Sequence, residues 1–124
     1  MMLVRTYVAK SKIHGLGLFA RDSIRRGTPM QMDNPVFDII LTQAQVNTLF
    51  PIARQYIYRY AWTDSYGLMH IGVDNDKYCN HTEDPNMGLP KGEGSEICVA
   101  LRDIKADEEI TEGYRLFPNA PQGF

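Results

Sequence analysis

Cysteine is scarce in this chain: only Cys79 and Cys98 occur, and no Cys-x-x-Cys pair exists. A structural zinc site built from paired cysteines has no ligands to draw on, so no metal is expected. An intracellular setting disfavours a disulfide between the two, and two small buried thiols are the preferred reading. Charge of one sign is not in excess. The net charge is -2 at pH 7, with no long acidic or basic run. That argues against a nucleic-acid binder held by phosphate contacts, which normally shows a basic face. Long hydrophobic runs are missing as well, and no stretch approaches the length of a membrane span. Met1-Met2-Leu3-Val4-Arg5 lacks the apolar core and cleavage site of a signal peptide. The expected location is cytoplasmic or otherwise intracellular. Internal repeats and low-complexity tracts are absent too. The 124 residues suffice for one compact domain, 1–124, and are too few for two.

What the chain does have is short apolar runs punctuated by Gly, Pro, Asn and Asp, the pattern of many short strands. Val4 to Lys10 and Leu18-Phe19-Ala20 are expected strands, and Arg26-Gly27-Thr28-Pro29 forms a turn. Val36-Phe37-Asp38-Ile39-Ile40-Leu41 is strongly apolar and is expected to be buried. Thr42 with Gln45 three residues later spells a capping box, so a short helix starts there and ends near Pro51. From Tyr56 to Trp62 the aromatics alternate with Ile57, Arg59 and Ala61, which predicts a strand. Ile97 to Leu101 is a further strand, after the glycine-rich turn Lys91-Gly92-Glu93-Gly94. The Pro- and Gly-rich tail, 115–124, forms no regular element. The sum is a mostly-β domain with one short helical insert.

Three blocks carry chemical information. The first is Gly15-Leu16-Gly17-Leu18-Phe19-Ala20, followed by Ile24-Arg25-Arg26-Gly27. The second is Asn80-His81-Thr82-Glu83-Asp84-Pro85-Asn86. The third runs from Val99-Ala100-Leu101-Arg102-Asp103-Ile104 through Glu108-Glu109-Ile110-Thr111 to Tyr114. Each alone reads blandly: two glycines as a tight strand connection, Asn-His with Pro-Asn as a polar surface loop. In this order and spacing, from about Val8 to Tyr114, they resemble the SET domain, the fold of a large class of protein-lysine methyltransferases.

The resemblance implies several small sheets around a C-terminal pseudoknot, in which the last segment passes beneath a loop made by the preceding one. It also implies S-adenosylmethionine as cofactor and a protein or peptide that presents a lysine as substrate. Asn80 and His81 match the pair that holds the cofactor, and an amide offers a zwitterionic ligand both donor and acceptor. Gly15 and Gly17 match the family's Gly-x-Gly, where missing side chains admit close backbone approach and His14 and Leu16 supply backbone contacts. Tyr114 matches the catalytic tyrosine whose hydroxyl sits beside the transferring methyl. Tyr56 resembles a tyrosine that approaches the cofactor or the lysine channel, Tyr78 an aromatic of the channel, and Phe117 an aromatic lid. His14 and His70 read as neither metal ligand nor catalytic base, and Trp62 reads as core.

The sequence departs from the family at two points. Gly113 stands where an Asp usually precedes the tyrosine, and Thr82-Glu83 stands where Ser-Cys usually follows the histidine. The second change removes a possible zinc ligand, in keeping with the lack of the cysteine-rich zinc modules that many members carry.

Methyl transfer to lysine suits such residues. The amine must arrive neutral, which at pH 7.4 costs about 4 kcal/mol against an ordinary pKa of about 10.4. A desolvated aromatic channel lowers that cost by disfavouring the ammonium, and holding the reactants in line supplies much of the rest. No Asp-His-Ser constellation is required. The substrate peptide is expected to lie along a groove as an added strand. The alternative is a SET-fold module that binds cofactor or peptide without turnover. A purely structural domain and a small-molecule methyltransferase are more distant rivals. Target, methylation state and oligomeric state are not legible.

Overall fold

The computed structural model describes residues 1–90 and 97–113. Within them the chain opens with a hairpin, β1 (Thr6–Lys10) and β2 (Leu16–Ala20), in unbroken antiparallel register from Thr6 opposite Ala20 to Lys10 opposite Leu16. Its tip closes through Ser11 N–H donating to Gly15 O at 2.8 Å. Gly15 sits at φ 48°, with open space where a Cβ would be. The requirement there is a left-handed backbone rather than room.

Next come β3 (Pro29–Met32), β4 (Ile39–Leu41), the helices α1 (Gln43–Asn47) and α2 (Pro51–Tyr60), β5 (Trp62–Thr63) and β6 (Met69–Ile71). A 3-10 turn, Asn75–Tyr78, leads into β7 (Asn80–His81). The described chain ends with β8 (Met87–Gly88), β9 (Ile97–Ala100) and β10 (Glu109–Glu112). The larger sheet runs β1-β2-β10-β8-β9-β3, with β7 also pairing β10, and the smaller runs β4-β6-β5. The strong β character follows the sequence pattern, and the first, second and penultimate strands fall where they are expected.

Two expectations need correction. The first is the Tyr56–Trp62 strand, which is instead the second half of α2. The alternation of tyrosines over a few residues fits a strand, but the less exposed residues of the whole element are Ala53, Arg54, Ile57 and Tyr60, a helical spacing. Pro51 starts this helix rather than ending the previous one, because proline suits the first helical turn, where its missing N–H costs nothing. The insert is therefore two helices. α1 keeps the expected capping box, with Thr42 Oγ1 accepting from Gln45 N–H and Gln45 Oε1 accepting from Thr42 N–H.

The second correction concerns Val36–Leu41. Val36 is 95% exposed, Phe37 and Ile39 are a little under half exposed, and the buried member is Asp38. Asn34 Oδ1 accepts from the backbones of Val36 and Phe37, which turns the chain. Asp38 Oδ2 in turn accepts from Asn34 N–H and from the Met1 ammonium. Met1 also pairs with Asp76 at 2.8 Å and donates to Met32 O. The bonds made by Asp38 Oδ2, rather than apolar content, accompany its inward position, while Asp38 Oδ1 is buried without a hydrogen bond among the described residues.

The main core is Leu18, Ala20, Ile24, Met30, Cys79, Met87, Cys98, Ala100, Ile104 and Ile110. Ile24 and Ile104 exchange backbone hydrogen bonds of 2.8 Å in both directions, tying the two loops that flank it. A smaller core under the helices holds Val46, Ile57, Ala61, Met69 and Ile71.

Candidate functional site

β10 is the element on which the site is built. It runs antiparallel to β2, with Glu109 opposite Phe19, and parallel to β7, with Thr111 opposite Asn80 and Glu112 opposite His81. It also pairs in parallel with β8 at Met87. The 82–86 loop joins β7 to β8, so β10 threads against both ends of that loop. Beyond β10, the loop closes on Gly113, where an added Cβ would come within 3.3 Å of Pro85 Cγ and 3.7 Å of Thr82 O.

Asn86 locks the crossing from inside. Its side chain is 1% exposed. Its Oδ1 accepts from Thr111 N–H at 2.9 Å and its Nδ2 donates to Glu109 O at 2.8 Å. The amide thus does for β10 what the backbone of a neighbouring strand would do.

Asn80, at the start of the same loop, ties β7 to the hairpin. Its Nδ2 lies 3.0 Å from His14 O, 3.1 Å from Leu16 O and 3.0 Å from Glu109 Oε1. All three are acceptors, so the amide nitrogen must occupy this position. Oδ1 is left over, and no donor among the described residues meets it. Glu109 Oε2 accepts from Ser11 Oγ at 3.0 Å, and Ser11 Oγ accepts from the N–H groups of Ile13 and His14. Gly17 gives the carboxylate its space, since a Cβ there would overlap Glu109 Oε1. The two glycines of the motif therefore serve different ends, Gly15 the turn and Gly17 the packing of an acid. His14, Gly15 and Leu16 are exposed around this network.

A row of tyrosines approaches from the helical insert. Tyr56 and Tyr60, one turn apart on α2, have ring centroids 4.8 Å apart. Tyr60 meets Tyr78 edge-on at 5.9 Å. Tyr78 ends the 3-10 turn two residues before Asn80, so the row stops beside β7. Tyr56 is about half exposed. On the other side of Asn80, His81 Nε2 lies 3.5 Å from Glu83 Oε1.

Behind β7 and β10 the interior is acidic. Glu112 keeps some exposed surface as a residue, but its carboxyl is buried. Burial, and then the negative Asp76 and Asp33, push it up to about 8. Cys79 and Cys98 are buried thiols. Burial raises the first far above its ordinary range and the second to about 12, so neither is a nucleophile. His70 lies in the smaller sheet, stacked on Trp62 at 4.3 Å and 2.7 Å from Asp64.

The structure thus brings together His14, Gly15, Leu16, Gly17 and Asn80, and sets Tyr78 and Tyr56 in one aromatic row. His81 is in the same strand as Asn80 but faces Glu83. Tyr114 and Phe117 lie outside the described residues. Sequence reasoning missed Ser11, Glu109 and Tyr60. Tyr60 was hidden by the strand assignment. Glu109 was seen only as part of a motif. Ser11 carries one local signal, a hydroxyl placed two and three residues before the N–H groups it accepts from.

The mostly-β fold recurs in solved structures. A Plasmodium falciparum protein provisionally assigned as a histone methyltransferase superposes with a TM-score of 0.62 at 19% identity, covering 91% of this chain and 95% of that one. A humanized mutant of the Chaetomium thermophilum Polycomb Repressive Complex 2, bound to an inhibitor, superposes with a TM-score of 0.64 at 23% identity, covering 96% of this chain and 16% of that one. The fold is that of the SET methyltransferases. The family model for the SET domain matches residues 15–115, and the chain belongs to the SET-domain family. Curated protein sequences give no match.

Proposed function

We propose that this protein is an S-adenosylmethionine-dependent protein-lysine N-methyltransferase. The observation that carries the proposal is the state of Asn80. Its donors are spent on the hairpin and on Glu109, which leaves Oδ1 as an acceptor beside the exposed Gly15-Leu16 turn. An acceptor in that place suits a ligand that carries an ammonium, as the amino-acid end of S-adenosylmethionine does. When bound, the cofactor would supply a methyl on a sulfonium for transfer to the lysine amine.

The chain's own residues hold and screen. His14, Gly15, Leu16 and Gly17 offer backbone to the ligand, and Asn80, His81 and Tyr56 complete its pocket. Tyr78 and Phe117 line the channel by which the lysine enters. The Tyr56-Tyr60-Tyr78 row supplies apolar surface, which disfavours the charged amine and so helps to deliver it neutral. Tyr114 is the catalytic residue, orienting the amine through its hydroxyl. The buried thiols, held protonated by their surroundings, do not compete as methyl acceptors.

The substrate is a lysine on an extended peptide. A histone tail fits by analogy with the Plasmodium protein, and any basic protein fits the chemistry equally. An intracellular location belongs to the same proposal.

The test is an array of lysine peptides incubated with the protein and methyl-labelled cofactor. Label is expected on a subset of peptides and is expected to vanish where their lysine is replaced by arginine. Saturable cofactor binding with no label on any lysine peptide would instead identify a binding module without turnover.

A further inference from the structure

Glu109 enters the methyl-transfer proposal only as a partner of Asn80, yet three segments of the site converge on its carboxylate. Oε1 accepts from Asn80, Oε2 accepts from Ser11, and the space it occupies is the space Gly17 leaves empty. Ser11 in turn collects the N–H groups of Ile13 and His14. The result is a closed ring of hydrogen bonds: His14 N–H to Ser11, Ser11 to Glu109, Asn80 to Glu109, and Asn80 back to His14 O.

A carboxylate is the side chain this ring requires. It accepts at both oxygens and donates at neither, so it faces two donors at once and turns the Asn80 amide with its nitrogen inward. A primary amide in its place satisfies only one of them. With its oxygen on Asn80, its nitrogen presents a third donor to Ser11 Oγ, and the serine proton loses its acceptor.

We propose that Glu109, acting through Ser11 and Asn80, is a positioning residue for the cofactor pocket: it sets the shape of the 11–17 turn and directs Asn80 Oδ1 outward to receive an ammonium. This rests on the assignment of Asn80 and the glycine turn to S-adenosylmethionine. It adds that pocket geometry is fixed from β10, the same strand that leads to Tyr114.

The test uses Glu109→Gln, Ser11→Ala and Ser11→Thr in the full chain. Two readouts are taken: calorimetric titration with S-adenosylmethionine, and the Asn80 side-chain NH2 resonances of the ligand-free protein. Glu109→Gln and Ser11→Ala are each expected to weaken the cofactor about tenfold to a hundredfold, the loss of a hydrogen bond to a charged group. Both are expected to shift the Asn80 resonances, while Ser11→Thr, which keeps the hydroxyl, restores both signals. In turnover assays the KM for cofactor should rise more than kcat falls. A merely structural role would lower the melting temperature without this split and without rescue by threonine. Unchanged Asn80 resonances in Glu109→Gln, or unchanged affinity in both disrupting variants, would overturn the positioning role. Failure of the unaltered protein to bind cofactor while the resonances shift as expected would leave the hydrogen-bonded ring standing and overturn its assignment to this ligand.

Discussion

Replacing Asn86 by alanine should damage the fold more than any other loss of a side chain in the 82–86 loop. The amide is buried and makes two good hydrogen bonds to β10, to Thr111 N–H and Glu109 O. Removing it leaves a buried donor and a buried acceptor without partners, and each costs about 1–3 kcal/mol. The sum is about 2–6 kcal/mol, a large part of the roughly 5–15 kcal/mol that holds a domain of this kind together. Thermal unfolding followed by circular dichroism should show Tm falling on the order of 10–20 °C. Asn86→Asp sharpens the comparison. It keeps an acceptor for Thr111 N–H but turns a carboxylate oxygen toward Glu109 O, so it should fare no better than alanine despite its matching shape. A loss below about 1 kcal/mol in Asn86→Ala would refute the idea that this amide closes the crossing. An aspartate variant as stable as the parent would refute the donor assignment.

Three further outcomes are expected, the first from the proposed function and the others from the structure. Tyr114→Phe should cut kcat on a lysine peptide on the order of a hundredfold while cofactor affinity stays near the parent's, since the role proposed for the hydroxyl lies mainly in the transition state; near-normal turnover would remove Tyr114 from the proposed catalysis. Glu112, raised from an ordinary 4.5 to about 8, binds more proton when folded than when unfolded across that interval. Its contribution to stability is therefore full at low pH and lost as pH rises, with a slope of at most about 1.4 kcal/mol per pH unit. Glu112→Gln should flatten that fall in denaturant titrations between pH 5 and pH 8, and an unchanged profile would contradict it. Gly17→Ala should displace the Glu109 carboxylate, lowering cofactor affinity measured by calorimetry at a stability cost of about 1–3 kcal/mol; unchanged affinity would show that the carboxylate has another place to go.

The motifs were readable because their chemistry is local. Asn80, Gly15 and Gly17 are recognisable by type and spacing, and the structure sets Asn80 against the hairpin that carries the two glycines. Glu109 was not readable as a partner of Asn80, since a carboxylate 29 residues away announces nothing about where its oxygens point. Thr42 and Gln45 gave a true helix start because a capping box is a contact between near neighbours. Pro51 misled because proline both ends and begins helices, and only the inward spacing of Ala53, Ile57 and Tyr60 tells which. Val36, Phe37 and Ile39 misled for another reason. Their exposure is set by what Asn34 and Asp38 must bond, and those partners include Met1, remote in sequence.

The most direct test of the cofactor pocket is a calorimetric titration of S-adenosylmethionine into metal-free protein, set beside Asn80→Ala with its folding verified by circular dichroism. The account predicts saturable one-site binding in the parent and a loss of about tenfold or more in the variant, with Tyr114→Phe close to the parent. Absence of binding, binding that requires zinc, or an Asn80→Ala protein that binds as tightly as the parent would contradict it.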